Sequence, residues 1–194
     1  LVAGIAVLAL IALGIIHFSE SPQETRVYRS IIQPPEKNSF STTAGGHIAL
    51  SPDGRLLAFG ATDSSRKSLL WVRPLNALAG QPLNGTDGAL FPFWSPDSRF
   101  IGFFAGTKLK KVEATGGPPQ TICDAPLGRG GTWNKEGVIV FCPNGAAFSL
   151  SRVSAAGGVP VVITKLDTSS NVVSHRWPYF LPDGKHFLYN TRVA

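Results

Sequence analysis

An all-β fold is predicted by three features of this sequence. A strand–turn–strand unit recurs along it. Gly (21) and Pro (15) are plentiful while charged residues make up only 15%, a mix that favours many short strands and turns over helices. No helical period follows the apolar run at the start.

The unit is clearest at residues 91–104, FPFWSPDSRFIGFF. An apolar strand enters the turn Ser95-Pro96-Asp97-Ser98 and a second apolar strand leaves it. Pro at the second turn position presets φ, and Asp and Ser bond to nearby backbone. Alternation after the turn is imperfect, which suits a strand buried on both faces. The unit returns at 47–61 (HIALSPDGRLLAFGA), 132–142 (TWNKEGVIVFC) and 177–190 (WPYFLPDGKHFLYN). Pro52, Pro96, Lys135 and Pro182 hold equivalent places, 44, 39 and 47 residues apart. A period of roughly 40–45 residues with several strands in each is the signature of propeller blades. The expected architecture is therefore a partial β-propeller of about four blades, the last incomplete, preceded by one transmembrane helix.

Residues 1–18 are almost uninterruptedly apolar, long enough to span about 30 Å of hydrocarbon as a helix. A signal-peptide core is usually shorter and followed by a small-residue cleavage site, which HFSESPQ does not offer. Residues 19–45 read as a linker. Within it, RVYRSIIQ at 26–33 reads as a strand that could close the ring at the outer edge of the last blade, hiding an open sheet edge. Blades are expected at about 46–88, 89–126, 127–170 and 171–194, the first entered through a loop at 36–46. Expected strands within them include 81–84, 148–153, 159–164 and 176–180. Met is absent, and the sequence stops two strands into a blade, so it reads as a processed chain or a fragment.

The net charge is +6, but the basic residues are scattered. Their densest patch, Lys108-Leu109-Lys110-Lys111, reads as part of an exposed strand. No recognition motif accompanies the charge, so nucleic acid is not an expected partner. Cys123 and Cys142 match no paired metal-site spacing and read as semi-buried thiols. A disulfide between them would need Cα atoms within roughly 7 Å. The four His residues lack the usual ligand spacings, and neither metal nor cofactor is expected.

Asp53, Asp97, Glu136 and Asp183 form a repeated set of acids, but each sits in a turn where Asp bonds its own backbone. Catalytic carboxylates would have to converge, whereas these occupy equivalent corners of separate blades. Trp94, Trp133 and Phe180, with Leu50, stand two residues before the Pro-like position and read as packing between blades. His47, His175 and Arg176 begin innermost strands and Arg129 precedes one. Such starts line one mouth of a propeller's central channel, which makes these four the candidates for contact with a polar ligand or protein partner. No G-x-S-x-G nucleophile elbow is present, and no catalytic residue is assigned.

With Leu50-Ser51-Pro52-Asp53-Gly54, Trp94-Ser95-Pro96-Asp97 and Leu181-Pro182-Asp183-Gly184 in view, the chain resembles the TolB-type, WD-like β-propeller repeat of bacteria. The apolar strands after these turns and the Gly-Gly turns at 116–117 and 157–158 match as well. The third repeat departs, with Asn134-Lys135-Glu136-Gly137 in the turn. The order of span, linker, strand and propeller also resembles the C-terminal half of acidobacterial-type membrane serine/threonine protein kinases. That resemblance implies a membrane-anchored binding or sensing module on the periplasmic side of the bacterial inner membrane. None of the kinase motifs is present here, so no activity is expected of this chain itself. The alternatives are a periplasmic TolB-like interaction scaffold and the propeller of a prolyl-oligopeptidase-like hydrolase.

Overall fold

The computed structural model describes residues 31–41, 48–144 and 148–194. The expected membrane span at 1–18 and the candidate His47 lie outside them. Only the last three residues of the expected strand at 26–33 are described, and these form no strand. Among the described residues no helix is long and apolar enough to cross a membrane. Pro34–Ala194 pack as one compact unit.

Among the described residues, fifteen strands fall into four antiparallel sheets. The first holds β1 (Ser39–Phe40), β2 (Ile48–Leu50), β3 (Leu56–Thr62), β4 (Ser68–Pro74) and β5 (Gln81–Pro82). The second is a meander of β6 (Leu90–Trp94), β7 (Phe100–Ala105), β8 (Lys108–Glu113) and β9 (Gln120–Asp124). The third repeats it with β10 (Gly131–Trp133), β11 (Val138–Phe141), β12 (Ser151–Ser154) and β13 (Val161–Val162). The fourth is the hairpin of β14 (Val172–Phe180) and β15 (Phe187–Val193). The first strands of the meanders, β2, β6, β10 and β14, stand side by side in chain order. Apart from one 3-10 turn at Thr168–Ser170, the described chain is all-β.

The core lies between sheets rather than within one. Leu70, Val72 and Leu83 of the first sheet meet Trp94, Ile101, Phe103 and Val112 of the second. On its opposite face the second sheet sets Phe93, Phe104, Leu109 and Ile122 against Ile139, Phe141 and Val153 of the third. Val140, Cys142 and Leu150 then meet Phe180 and Phe187 of the fourth. Strand β7 shows why the alternation looked imperfect. Ile101 and Phe103 point to one neighbour and Phe104 to the other, and all three are buried. Both faces of a middle sheet are therefore apolar.

The turns between the first two strands of each meander close as the residue types require. Ser51 Oγ accepts from Leu56 N at 2.8 Å, and Ser95 Oγ accepts from Phe100 N at 2.8 Å. In the divergent third turn, one residue shorter, Asn134 Oδ1 accepts from Val138 N at 2.9 Å. In the fourth, Leu181 cannot serve, and Asp183 Oδ1 accepts from His186 N at 3.0 Å instead. Each turn thus satisfies a backbone donor that the ladder leaves open.

Several strands differ from expectation. The loop expected at 36–46 contains β1, which pairs Ser39 and Phe40 with Thr62 and Ala61. The outer strands expected at 81–84 and 159–164 shrink to two residues each. Pro82 and Pro160 each lack an N–H and cannot extend a ladder as donors, although Ile163 N still reaches Leu150 O at 2.9 Å. The strand expected at 148–153 begins only at Ser151. The inner strand expected at 176–180 begins earlier, at Val172, because β15 is long enough to pair with it. Both cysteines are free and buried.

Candidate functional site

Two mouths flank the row of inner strands. At the end where these strands run into their turns, all four sheets line one concavity of about 820 Å³. Ser51, Trp94, Trp133, Glu136, Tyr179 and Asp183 are among the residues around it. Trp94 is buried and donates from Nε1 to Ala49 O of the preceding sheet at 2.8 Å. Trp133 is half-buried, its ring 6.3 Å from that of Phe100 in the preceding sheet. Phe180 packs on Phe187, ring centroids 5.9 Å apart, and its N–H donates to Thr132 Oγ1 of the third sheet at 3.1 Å. These three side chains, together with Asn134 Nδ2 donating to Gly184 O at 2.9 Å, tie each sheet to the next. Tyr179 is left exposed on the rim.

The repeated acids act within their turns. The Ser51 hydroxyl holds the Asp53 carboxyl below its ordinary range, helped by Arg55 N–H. The Ser95 hydroxyl does the same for Asp97. The His186 side chain, at 2.6 Å, and the backbone N–H groups of His186 and Lys185 lower that of Asp183 further. All three are acceptors already engaged with donors, which suits turn closure and not proton transfer. Pro52, Pro96 and Pro182 each sit in the turn just before the acid. Among the described residues no group of three His, Cys, Asp or Glu is placed to hold a metal ion.

The other mouth is built where the inner strands begin. Phe91, Gly130 and Trp177 stand five residues before Pro96, Lys135 and Pro182 respectively, and all three have positive φ (53°, 81° and 55°). The rings of Phe91 and Trp177 meet edge-on with centroids 4.9 Å apart, although their sheets are separated by the third. They can meet because the residue between them is glycine: a Cβ on Gly130 would lie 2.6 Å from Trp177 Cε3. The pairing of β6 slips between Leu90 and Phe93, and that of β14 slips between Arg176 and Tyr179, at these same points.

The sequence candidates divide around this mouth. Arg129 is half-buried, its guanidinium carbon 5.3 Å from the Phe91 ring centroid, a cation–π distance. Its carbonyl accepts from Trp177 N at 3.2 Å. Arg176 lies beside it, half-buried, donating from Nε to Ser174 Oγ at 2.9 Å. Burial, then repulsion from Arg192, depresses its pKa, with Arg129 adding to the repulsion. His175 does not line the mouth as a solvated group. It is 4% exposed, its Nδ1 lies 2.9 Å from Thr164 Oγ1 and its ring 4.6 Å from that of Tyr189, and burial lowers its pKa. Alternation along β14 explains the split, since consecutive residues of a strand point to opposite faces. Phe91, Trp177 and Arg192 also stand around this mouth, and the sequence reading singles out none of them. The signal that would have found the two aromatics is their equal offset from the turn.

No protein-family model matches the chain, and no curated protein sequence matches it. Solved structures do. A putative TolB from Agrobacterium tumefaciens superposes with a TM-score of 0.66 at 18% identity, covering 80% of this chain and 57% of that one. TolB from Acinetobacter baumannii gives 0.63 at 13%, covering 76% and 38%. The Cps50 (Swd1) β-propeller domain of Myceliophteria thermophila gives 0.55 at 15%, covering 79% and 51%. The chain thus spans little more than half the length of the first and less of the second. The likeness at these identities is one of fold, and the fold it shows is a TolB-like β-propeller.

Proposed function

We propose that this chain is a non-catalytic binding module that docks a segment of a partner protein in the concavity at the turn end of its inner strands. One observation carries the reading. Four separate sheets contribute to a single hollow of about 820 Å³, within the size range of built ligand sites. Its rim mixes exposed Tyr179 and half-buried Trp133 with the charged Lys135 and Glu136. Aromatic and charged side chains on rigid strands, with the acids of the turns already engaged, suit recognition better than bond-breaking.

The same reading extends to an extracytoplasmic module tethered to the bacterial inner membrane through residues 1–18, and to the sensing half of a receptor-like serine/threonine kinase. The apolar run at 1–18 and its order relative to the propeller support this extension. Protease protection in intact and permeabilised cells tests the tether: cleavage in intact spheroplasts is expected, and full protection there overturns it.

The docking site is tested by selecting peptides from a random displayed library against the full 194-residue chain. Selected peptides are expected to lose binding to Tyr179→Ala and Trp133→Ala and to keep it with Arg152→Ala. Binding indifferent to both hollow substitutions, or a selection that enriches nothing, overturns the assignment.

A further inference from the structure

The concavity at the turn end of the inner strands does not stop at Trp133. A second hollow of about 420 Å³ adjoins it, walled by residues of the second and third sheets. Pro96, Trp133, Asn134 and Lys135 line both hollows, and Phe100 lines the second. The two share a wall and together make an elongated path. It passes the rings of Trp133 and Phe100, whose centroids are 6.3 Å apart. An extended chain segment suits such a path better than a compact ligand.

Hydrogen-bonding capacity along this path is one-sided. Trp133 Nε1 can only donate, and the Tyr179 hydroxyl donates readily. Among the described residues neither has a hydrogen-bond partner, and both side chains reach solvent. The acceptors along the path are already engaged. Ser51 and Ser95 hydroxyls, the Asp97 and Asp183 carboxyls and Asn134 Oδ1 each accept from a backbone N–H of their own turn. An ordinary peptide brings one N–H per residue, and donors left facing donors in a closed site are costly. Proline has no N–H but keeps its carbonyl. A run of prolines therefore brings acceptors with few donors. It is also extended before it binds, so little ordering is lost, and aromatic-lined grooves are where such segments dock. Charge along the path is uneven too. Lys135 lines both hollows and Glu136 only the first. Glu136 is exposed, and among the described residues no ion pair or hydrogen bond takes up its carboxylate.

We propose that the two hollows together bind an extended, proline-rich segment of a partner protein. Its carbonyls accept from Trp133 Nε1 and Tyr179 Oη, its rings pack on the aromatic walls, and a basic residue at one end meets Glu136. This rests on the docking reading of the concavity and supplies the chemistry of the docked segment. The basic residue sets which end of the segment lies in the first hollow, since opposite charges across an interface fix register more than they add affinity.

The test titrates the full chain with acetyl-Pro-Pro-Leu-Pro-Pro-Leu-Pro-Pro-Arg-amide and with the same peptide carrying alanine at every proline, read by calorimetry and tryptophan fluorescence. Saturable binding of the proline peptide, roughly tenfold or more tighter than its alanine counterpart, is expected. Trp133→Phe and Tyr179→Phe keep a ring and remove only the donor. Each should weaken the proline peptide roughly three- to tenfold, the effect of one hydrogen bond, while Arg152→Ala leaves it unchanged. Glu136→Gln should weaken it by a similar factor and lose that effect when the terminal arginine is replaced by glutamine. Equal binding of the alanine peptide, or parent-like binding by Tyr179→Phe, overturns the proposal. Tyr179 is 69% exposed, so its variant keeps the test decisive if Trp133→Phe fails to fold. Displayed-library peptides that need Trp133 and Tyr179 yet lack proline overturn the proline-rich ligand and leave docking in the concavity standing. Absence of any peptide binding overturns both.

Discussion

The ring of Phe93 on β6 rests on Gly131 of β10, so closely that a Cβ at 131 would stand 2.6 Å from Phe93 Cε1. The same ring covers Gly102 of its own sheet, where a Cβ would come within 2.4 Å. One aromatic side chain thus fills space that two glycines leave open, and it joins the second sheet to the third. Gly102→Ala and Gly131→Ala should each destabilise the chain by about 1–3 kcal/mol, the usual cost of forcing a methyl into a packed core. Urea denaturation measures this, and midpoints equal to the parent's would contradict the packing described.

Trp94 offers a more conservative test. Its indole N–H bridges to Ala49 O of the preceding sheet, and its ring belongs to the core between those sheets. Trp94→Phe keeps most of the ring and removes the donor. A loss of about 1 kcal/mol is expected, the net worth of a typical hydrogen bond. Trp94→Leu should cost more, through lost ring area as well. Equal stability of Trp94→Phe and the parent would show that the bond contributes nothing.

The turn acids set an acid limit. Asp53, Asp97 and Asp183 have carboxyls held below their ordinary range, by Ser51, Ser95 and His186 first. A folded pKa below the unfolded one gives stability that is present above the unfolded value of about 3.9. That stability is lost as pH falls through the folded value. Melting temperature should therefore hold from neutral pH down to about 5 as far as these groups are concerned, then fall below about 4. Asp97→Asn and Asp183→Asn should lower stability at neutral pH and flatten that acid decline. A decline as steep in both variants as in the parent would sink the assignment.

The thiols should be silent in the native chain. Burial pushes Cys123 up to about 11 and raises Cys142 as well, and the thiolate is the reactive form. At pH 8 a disulfide reagent such as Ellman's should therefore label neither quickly until denaturant is added, after which both react. Rapid labelling of either in native buffer would argue against the burial of that residue.

Much of the fold was legible because its signals are local. Pro-Asp turns, Gly-Gly turns and aromatic strands occupy short windows, and their spacing gave the period. The third turn was weaker in sequence only because Asn134 does with its amide oxygen what Ser51 and Ser95 do with a hydroxyl. Ser98 shows a subtler case. It takes φ 60° where the other turns have glycine, and its hydroxyl accepts from Asp53 N of the preceding turn at 3.2 Å, a contact no local rule could supply. The mouth was half legible. Arg129 and Arg176 follow from their place at strand starts. The meeting of Phe91 with Trp177 across Gly130 depends on how three sheets stack, and the burial of His175 depends on Thr164 and Tyr189.

The self-closing turns bear on the order of folding events. Within each meander the ladder partners are near neighbours in sequence, and hairpins of this size zip in microseconds. Stacking of one sheet on the next involves residues some 45 positions apart, as between Trp94 and Ala49, and such distant closures come later. Assembly should thus proceed sheet by sheet, with the aromatic wedges as the slow, rate-setting step.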